Sequence, residues 1–132
     1  MMVLKIINAT ESKTGTNIII EGVPCMVRKI DISKTGKHGS SKCRIEAIGI
    51  INGQKKIIAT PGHERFEVPM VEKRKAQVLS ILGEGKASIM DLENFETIEI
   101  FCPDEEVRNS LEEGGNVEYW NIEGEKIIKR KL

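Results

Sequence analysis

Short apolar runs rich in Ile and Val recur along the chain, each closed within a few residues by Gly, Asn or Pro. Runs of this length between turn residues read as strands. They fall at residues 18–20, 26–32, 44–51, 55–59, 77–82, 86–92, 97–101, 117–122 and 125–130. The punctuation is Glu21-Gly22, Asn52-Gly53, Pro61-Gly62, Gly83-Glu84-Gly85, Gly114-Gly115 and Glu123-Gly124. Asn52-Gly53 predicts a tight hairpin, because both residues tolerate the positive φ of a type I′ turn. One stretch departs from the strand pattern. Pro103 suits a first helical turn, Asp104, Glu105 and Glu106 favour the positive end of a helix dipole, and Val107 and Leu111 share a face. Gly114-Gly115 then stops the element, which predicts a short helix over residues 103–112.

The second half therefore reads as three strands, a helix and two strands, the order of an OB-fold barrel. The first half, with hairpins and no helical pattern, reads as another small β-barrel. The join falls near Val68-Pro69-Met70, where proline removes a ladder donor. The expected division is residues 1–68 and 69–132.

Composition sharpens this picture only in places. The chain has 132 residues, of which 39% are hydrophobic, enough to bury a core and to exclude a disordered tail. No apolar run approaches the roughly 20 residues of a membrane helix. The opening MMVLKIINATESK lacks the basic segment, apolar run and cleavage site of a secretory signal. Cys25, Cys43 and Cys102 are odd in number and show no CxxC spacing, which argues for reduced thiols and against a disulfide framework or zinc site. A soluble, cytoplasmic protein without metal, cofactor or membrane partner is expected. The formal net charge is zero, yet residues 1–68 carry 11 Lys/Arg against 6 Asp/Glu, and residues 69–132 carry 9 against 14. Such a split suits a chain with one region that meets nucleic acid.

The basic excess concentrates in residues 33–44, SKTGKHGSSKCR, which hold four bases, no acid and no large apolar residue. Lying between two predicted strands, this stretch is a projecting hairpin tip, and Gly36 and Gly39 clear side-chain bulk from around Lys37 and His38. It is not a Walker phosphate loop, since Asp31 stands at the first glycine position and His38 follows the lysine. Gly36-Lys37-His38-Gly39 matches the GxxG clamp of KH domains, but between strands instead of helices. The residues themselves leave two readings open: contact with an RNA backbone, or a basic hairpin without special chemistry.

The string Ser33 to Gly39, SKTGKHG, resembles without a gap the modification loop of the translation initiation factor 5A family, to which bacterial elongation factor P is related. The resemblance extends through Glu21-Gly22-Val23-Pro24-Cys25, Val68-Pro69, Ala76-Gln77-Val78-Leu79 and Met90-Asp91-Leu92. It implies an SH3-like barrel followed by an OB-fold. It also implies that Lys37 is converted to hypusine or deoxyhypusine by deoxyhypusine synthase, with spermidine as donor. Family members bind the ribosome and point this side chain at the acceptor end of the peptidyl-tRNA, supporting peptide-bond formation at stalled sites such as polyproline. Ser33, Lys34, Thr35, Gly36, His38, Gly39, Lys42 and Arg44 would then form the modification loop and its contacts to tRNA and rRNA. On this reading the chain is an enzyme's substrate and not an enzyme. Ser41 and Cys43 stand where family loops commonly carry alanine, and residues 7–17 match the family poorly and receive no role.

Two other classes compete. An unmodified, ribosome-associated RNA-binding double barrel would use the same basic loop. A structural assembly protein of the same fold would have lost the modifiable lysine, which is present here. Elsewhere, Cys25 and Cys43 read as small half-buried hydrophobes. Glu72-Lys73-Arg74-Lys75 reads as a solvated charged edge. The five aromatics (Phe66, Phe95, Phe101, Tyr119, Trp120) and the acidic second half argue against base stacking on the OB barrel.

Overall fold

The computed structural model describes residues 3–35 and 40–132, and the chain divides into two compact units, Met1–Met70 and Val71–Leu132. In the first unit the strands are β1 (Val3–Asn8), β2 (Asn17–Ile20), β3 (Val23–Thr35), β4 (Ser40–Gly49), β5 (Lys55–Pro61) and β6 (Arg65–Pro69). A 3₁₀ turn at Ala9–Glu11 follows β1. Strands β2 to β5 form an antiparallel meander, while β1 pairs with β6. The two sheets enclose one core, in which Ile18, Cys25, Val27, Ile45 and Ala47 are buried, and Ile7 and Val68 enter it from β1 and β6. This is the SH3-like barrel expected of the first half.

Two strands of this unit escape the sequence pattern. The β1–β6 pair joins residues 57 to 66 positions apart, Asn8 opposite Arg65 and Val3 opposite Pro69. β1 is largely apolar but follows no turn residue, β6 is only five residues long and ends in proline, and each acquires its role only from the other. The Asn52-Gly53 hairpin also differs from the type I′ expectation. Strand β4 stops at Gly49 and β5 starts at Lys55, so the connection is longer, and only Gly53 has positive φ (68°). Gly53 N–H donates to the Gly49 carbonyl, and the Asn52 side chain accepts from the Gln54 N–H, which locks this wider turn.

The second unit contains β7 (Val71–Ile81), β8 (Lys86–Asp91), β9 (Thr97–Phe101), helix α1 (Glu105–Ser110), β10 (Asn116–Ile122) and β11 (Glu125–Lys131). The strands close in the order β10-β11-β9-β8-β7, with β7 returning to pair with β10. The β9–β11 contact is parallel and the others are antiparallel, and the helix sits between the third and fourth strands of the unit. That is the OB-fold order. Ala76, Val78, Ala87, Ile89, Val117 and Ile128 fill the barrel. The helix is shorter than the expected 103–112, and Pro103 lies before its first turn. Asp104 caps it instead, its carboxylate accepting from the Glu106 and Val107 N–H groups, and such a cap sets the start more firmly than a preceding proline does.

Among the described residues no helix is long and apolar enough to cross a membrane.

Candidate functional site

The β3–β4 hairpin carries the basic segment. Its ladder runs Asp31 opposite Arg44, Ile32 opposite Cys43, Ser33 opposite Lys42, Lys34 opposite Ser41 and Thr35 opposite Ser40. The two strands thus continue through most of what the sequence reads as loop, because Ser, Thr and Lys carry a ladder as well as apolar residues do where both faces meet solvent. Only residues 36–39 separate the paired ends. Gly36, Lys37, His38 and Gly39 lie outside the described residues.

How far this arm projects follows from its neighbours. Strand β2 pairs with β3 only as far as Met26, and β5 pairs with β4 as far as Lys42. The last two rungs therefore form a two-stranded ribbon beyond the sheet. Cys43 is the last fully buried residue on β4, and Ser40 lies three positions further, about 10 Å at strand rise. Ile32 faces Cys43 across the ladder yet is 50% exposed, because the core ends beneath it.

The base of the arm is braced by a close approach. Gly62 N–H donates to the Ser41 carbonyl, and the Gly62 carbonyl accepts from Thr10 N–H. A Cβ at Gly62 would stand 2.0 Å from Ser41 Oγ and 2.9 Å from Thr10 Cγ2. Residues 9–11, which the sequence leaves without a role, thus help hold the arm. The small side chains Ser41 and Cys43 fit the same constraint: Ser41 meets Gly62, and Cys43 is 1% exposed in the core. Cys25 is also fully buried, so Cys25 and Cys43 are core residues and not half-buried as expected; Cys102 is buried too, and desolvation raises all three above the ordinary thiol value.

Strand alternation sorts the bases. Ser33, Lys42 and Arg44 share one face of the hairpin, together with Lys29, Asp31 and Glu46, whereas Lys34 lies on the other face opposite Ser41. Arg44 Nη1 donates to Glu46 Oε1 at 2.8 Å, and this bond holds the Glu46 carboxyl below its usual range. Lys29 pairs with Asp31 at 3.7 Å. Of the described bases from Lys29 to Arg44, Lys34 and Lys42 are exposed and make no ion pair, so at this end of the hairpin they are open to an incoming phosphate.

In the second unit the charged edge 72–75 is not uniformly solvated. Arg74 turns to Asp91, donating from Nε at 2.5 Å and from Nη2 at 3.1 Å, and also pairs with Glu72 and Glu93. Asp91 is 1% exposed and also accepts from the Tyr119 hydroxyl. Its carboxyl is held well below the usual range, chiefly by Arg74, while burial and Asp91 push the Tyr119 hydroxyl up to about 12. The sequence signal for this network was register: Asp91 follows Ala87 and Ile89 at the inward positions of β8. Lys73 turns outward over the Trp120 ring, 4.8 Å from its centroid. No cluster of His, Cys, Asp and Glu with metal-holding geometry occurs among the described residues.

Two family models match the chain. "Translation initiation factor 5A-like, N-terminal" covers residues 4–63, and "Eukaryotic elongation factor 5A hypusine, DNA-binding OB fold" covers residues 70–131. Translation initiation factor 5A of Metallosphaera sedula is 46% identical over 91% of this chain and 92% of its own length. That of Pyrobaculum aerophilum is 41% identical over 99% of this chain and 96% of its own. The solved structure of the 5A factor from Methanococcus jannaschii superposes over the full length of both chains, with a TM-score of 0.84 and 39% identity. With both halves matched in order and the barrels in the expected sequence, the chain belongs to the translation initiation factor 5A family.

Proposed function

We propose that this translation factor binds the ribosome through the first unit and that Lys37, converted to hypusine or deoxyhypusine, supports the acceptor end of the peptidyl-tRNA. The observation that supports the proposal is the β3–β4 ladder, which runs to Thr35 and Ser40 and so pairs the two strands that flank residues 36–39 of the SKTGKHG string. Deoxyhypusine synthase transfers a 4-aminobutyl group from spermidine to Lys37 Nζ. One C–N bond of spermidine breaks, a new C–N bond forms at Nζ, and the proton lost from Nζ leaves with diaminopropane. Lysine attacks only when deprotonated, which the synthase pocket must arrange. The product is longer and gains an amine, so reach and positive charge both increase.

Lys34 and Lys42 contact rRNA or tRNA phosphates, an interaction that is sequence-independent and salt-dependent. Arg44 contributes less because Glu46 already holds it. The factor supplies no catalytic group. Restricting the motion of the reacting end lowers the entropic part of the barrier where a nascent chain, such as polyproline, has poor geometry. The chain is a substrate of the modifying enzyme and acts in the cytoplasm, where ribosomes and spermidine are found together.

Mass spectrometry of peptides over residues 33–44 from native protein tests the chemistry. A butylamine-sized adduct on Lys37, with or without one oxygen, is expected. An unmodified Lys37 would favour the bare RNA-binding double barrel. In reconstituted translation of a polyproline reporter, modified protein relieves stalling and Lys37→Arg does not; equal relief by the two would overturn the proposed role.

A further inference from the structure

The two units contain the same turn with different residues at its strained position. Between β4 and β5, Gly53 N–H donates to the Gly49 carbonyl, Gly49 N–H to the Gln54 carbonyl, and Gln54 N–H to Asn52 Oδ1. Between β8 and β9, Phe95 N–H donates to the Asp91 carbonyl, Asp91 N–H to the Glu96 carbonyl, and Glu96 N–H to Asn94 Oδ1. Position for position these three bonds correspond. The left-handed residue is Gly53 at φ 68° in one turn and Phe95 at φ 61° in the other. Glycine adopts that conformation without cost, whereas for a bulky residue it is a true outlier.

Burial of the Phe95 side chain does not offset this cost. Phe95 is 69% exposed, the largest exposure among the large exposed hydrophobics, and Leu92 in the same turn is 38% exposed. The other non-glycine residues of positive φ, Glu21, Glu84 and Glu123, each precede a glycine in a tight turn; Phe95 does not. The turn is nonetheless firmly held. Asp91 Oδ1 accepts from Glu93 N–H at 2.8 Å and Asn94 N–H at 3.2 Å, and Asp91 is itself tied to Arg74 and Tyr119 inside the barrel. A rigid support presenting an exposed, strained aromatic is the arrangement of an anchor that enters a partner's pocket.

Charge identifies the partner's class. Beside the turn lies a polar cavity of about 170 Å³ whose lining includes Glu72, Arg74, Asp91, Asn94, Glu96 and Lys126. With Glu93, bonded to Arg74 at 3.2 Å, four carboxylates stand against two cations. A phosphate backbone is repelled here, and a lysine or arginine is attracted. We infer that the β8–β9 turn is a protein-docking element: Phe95 seats in an apolar pocket of a basic ribosomal protein, and a cationic side chain beside that pocket meets the Glu72, Glu93 and Glu96 carboxylates. This rests on the ribosome-binding reading of the preceding section and adds a protein contact distinct from the RNA contacts of the hairpin arm.

The test uses the full chain, modified at Lys37, with archaeal ribosomes. A photoreactive p-benzoylphenylalanine replaces Phe95, and adducts are identified by mass spectrometry after irradiation. The expected result is an adduct on a basic ribosomal protein, its yield reduced several-fold by Glu93→Gln and Glu96→Gln together. Phe95→Asn, which relieves the strain, melts at or above wild type and binds ribosomes about tenfold more weakly; a merely structural residue would not combine those two results. An adduct on rRNA, no adduct, or unchanged affinity of Phe95→Asn overturns the inference while leaving ribosome binding intact. Failure of the wild-type chain to sediment with ribosomes overturns both.

Discussion

Asp91 shows how much can rest on one side chain. It is buried, tied bidentately to Arg74, bonded to Tyr119, and holds the turn that follows it. Removing its charge leaves Arg74 under-compensated, and losses of this kind cost about 3–5 kcal/mol. Asp91→Asn is expected near the lower end, since Glu72 and Glu93 still face Arg74; urea unfolding measures it. The sign with pH follows from the shift. A carboxyl held below its unfolded value of about 4 contributes stability above that pH and loses it as pH falls through the folded value. Tyr119, raised to about 12, contributes stability that is lost as pH climbs from about 10 toward 12. Melting temperature against pH should therefore fall at both ends, with the acid limb flattened in Asp91→Asn and the alkaline limb flattened in Tyr119→Phe. At Phe95 the expected change has the opposite sign: Phe95→Asn relieves about 1 kcal/mol of backbone strain, which calorimetry reads as a rise in melting temperature. Neither residue is conspicuous in sequence. Burial of Asp91 depends on its partners from β7 and β10, and the strain at Phe95 on how many residues the turn holds.

Elements show a different balance. The strand order of the OB barrel and the presence of a helix before its fourth strand were legible, because each strand is a compact apolar run with its own turn residues. The β1–β6 pair was not, because its two strands are far apart in the chain and no turn between them signals the pairing. The length of the hairpin arm was also hidden, since polar residues with both faces in solvent carry no alternation to read. Its bracing suggests a direct test. Gly62→Ala places a methyl 2.0 Å from Ser41 Oγ, and overpacking of this kind costs about 1–3 kcal/mol. Ser41→Ala in the same chain removes the closest clash but leaves Thr10 Cγ2 at 2.9 Å, so partial recovery is expected. A double-mutant cycle by thermal melting, with the rate of Lys37 modification by the synthase as second readout, separates a strained arm from a generally weakened barrel. At α1, whose start the sequence reading placed too early at Pro103, Asp104→Ala removes the acceptor for two N–H groups and should cost about 1 kcal/mol by the same melting assay.

At the scale of the whole molecule the informative quantity is the separation of charge behind a net of zero. A neutral chain gains nothing from overall attraction to RNA, so binding must come from where the cations stand. The first half has five more bases than acids and the second half five fewer. Pairing reduces the useful set further: Arg44 is held by Glu46 and Lys29 by Asp31, while Lys34 and Lys42 remain exposed on opposite faces of the arm. Each phosphate neutralised contributes about 0.7–0.9 to the slope of log K against log salt. Lys34→Ala and Lys42→Ala should therefore each lower the slope of ribosome binding by about that amount, and together by about twice it. Arg44→Ala should lower it by less, because Glu46 already holds the Arg44 guanidinium and leaves it less free to meet a phosphate. Glu93→Gln with Glu96→Gln should leave the slope for naked rRNA unchanged while weakening binding to intact ribosomes, since those carboxylates face protein and not phosphate. Filter binding across a salt series measures all of these. Equal slope changes for Lys42→Ala and Arg44→Ala would show that the Arg44–Glu46 pair opens on binding, and the described residues of the arm would then present three cations to RNA instead of two.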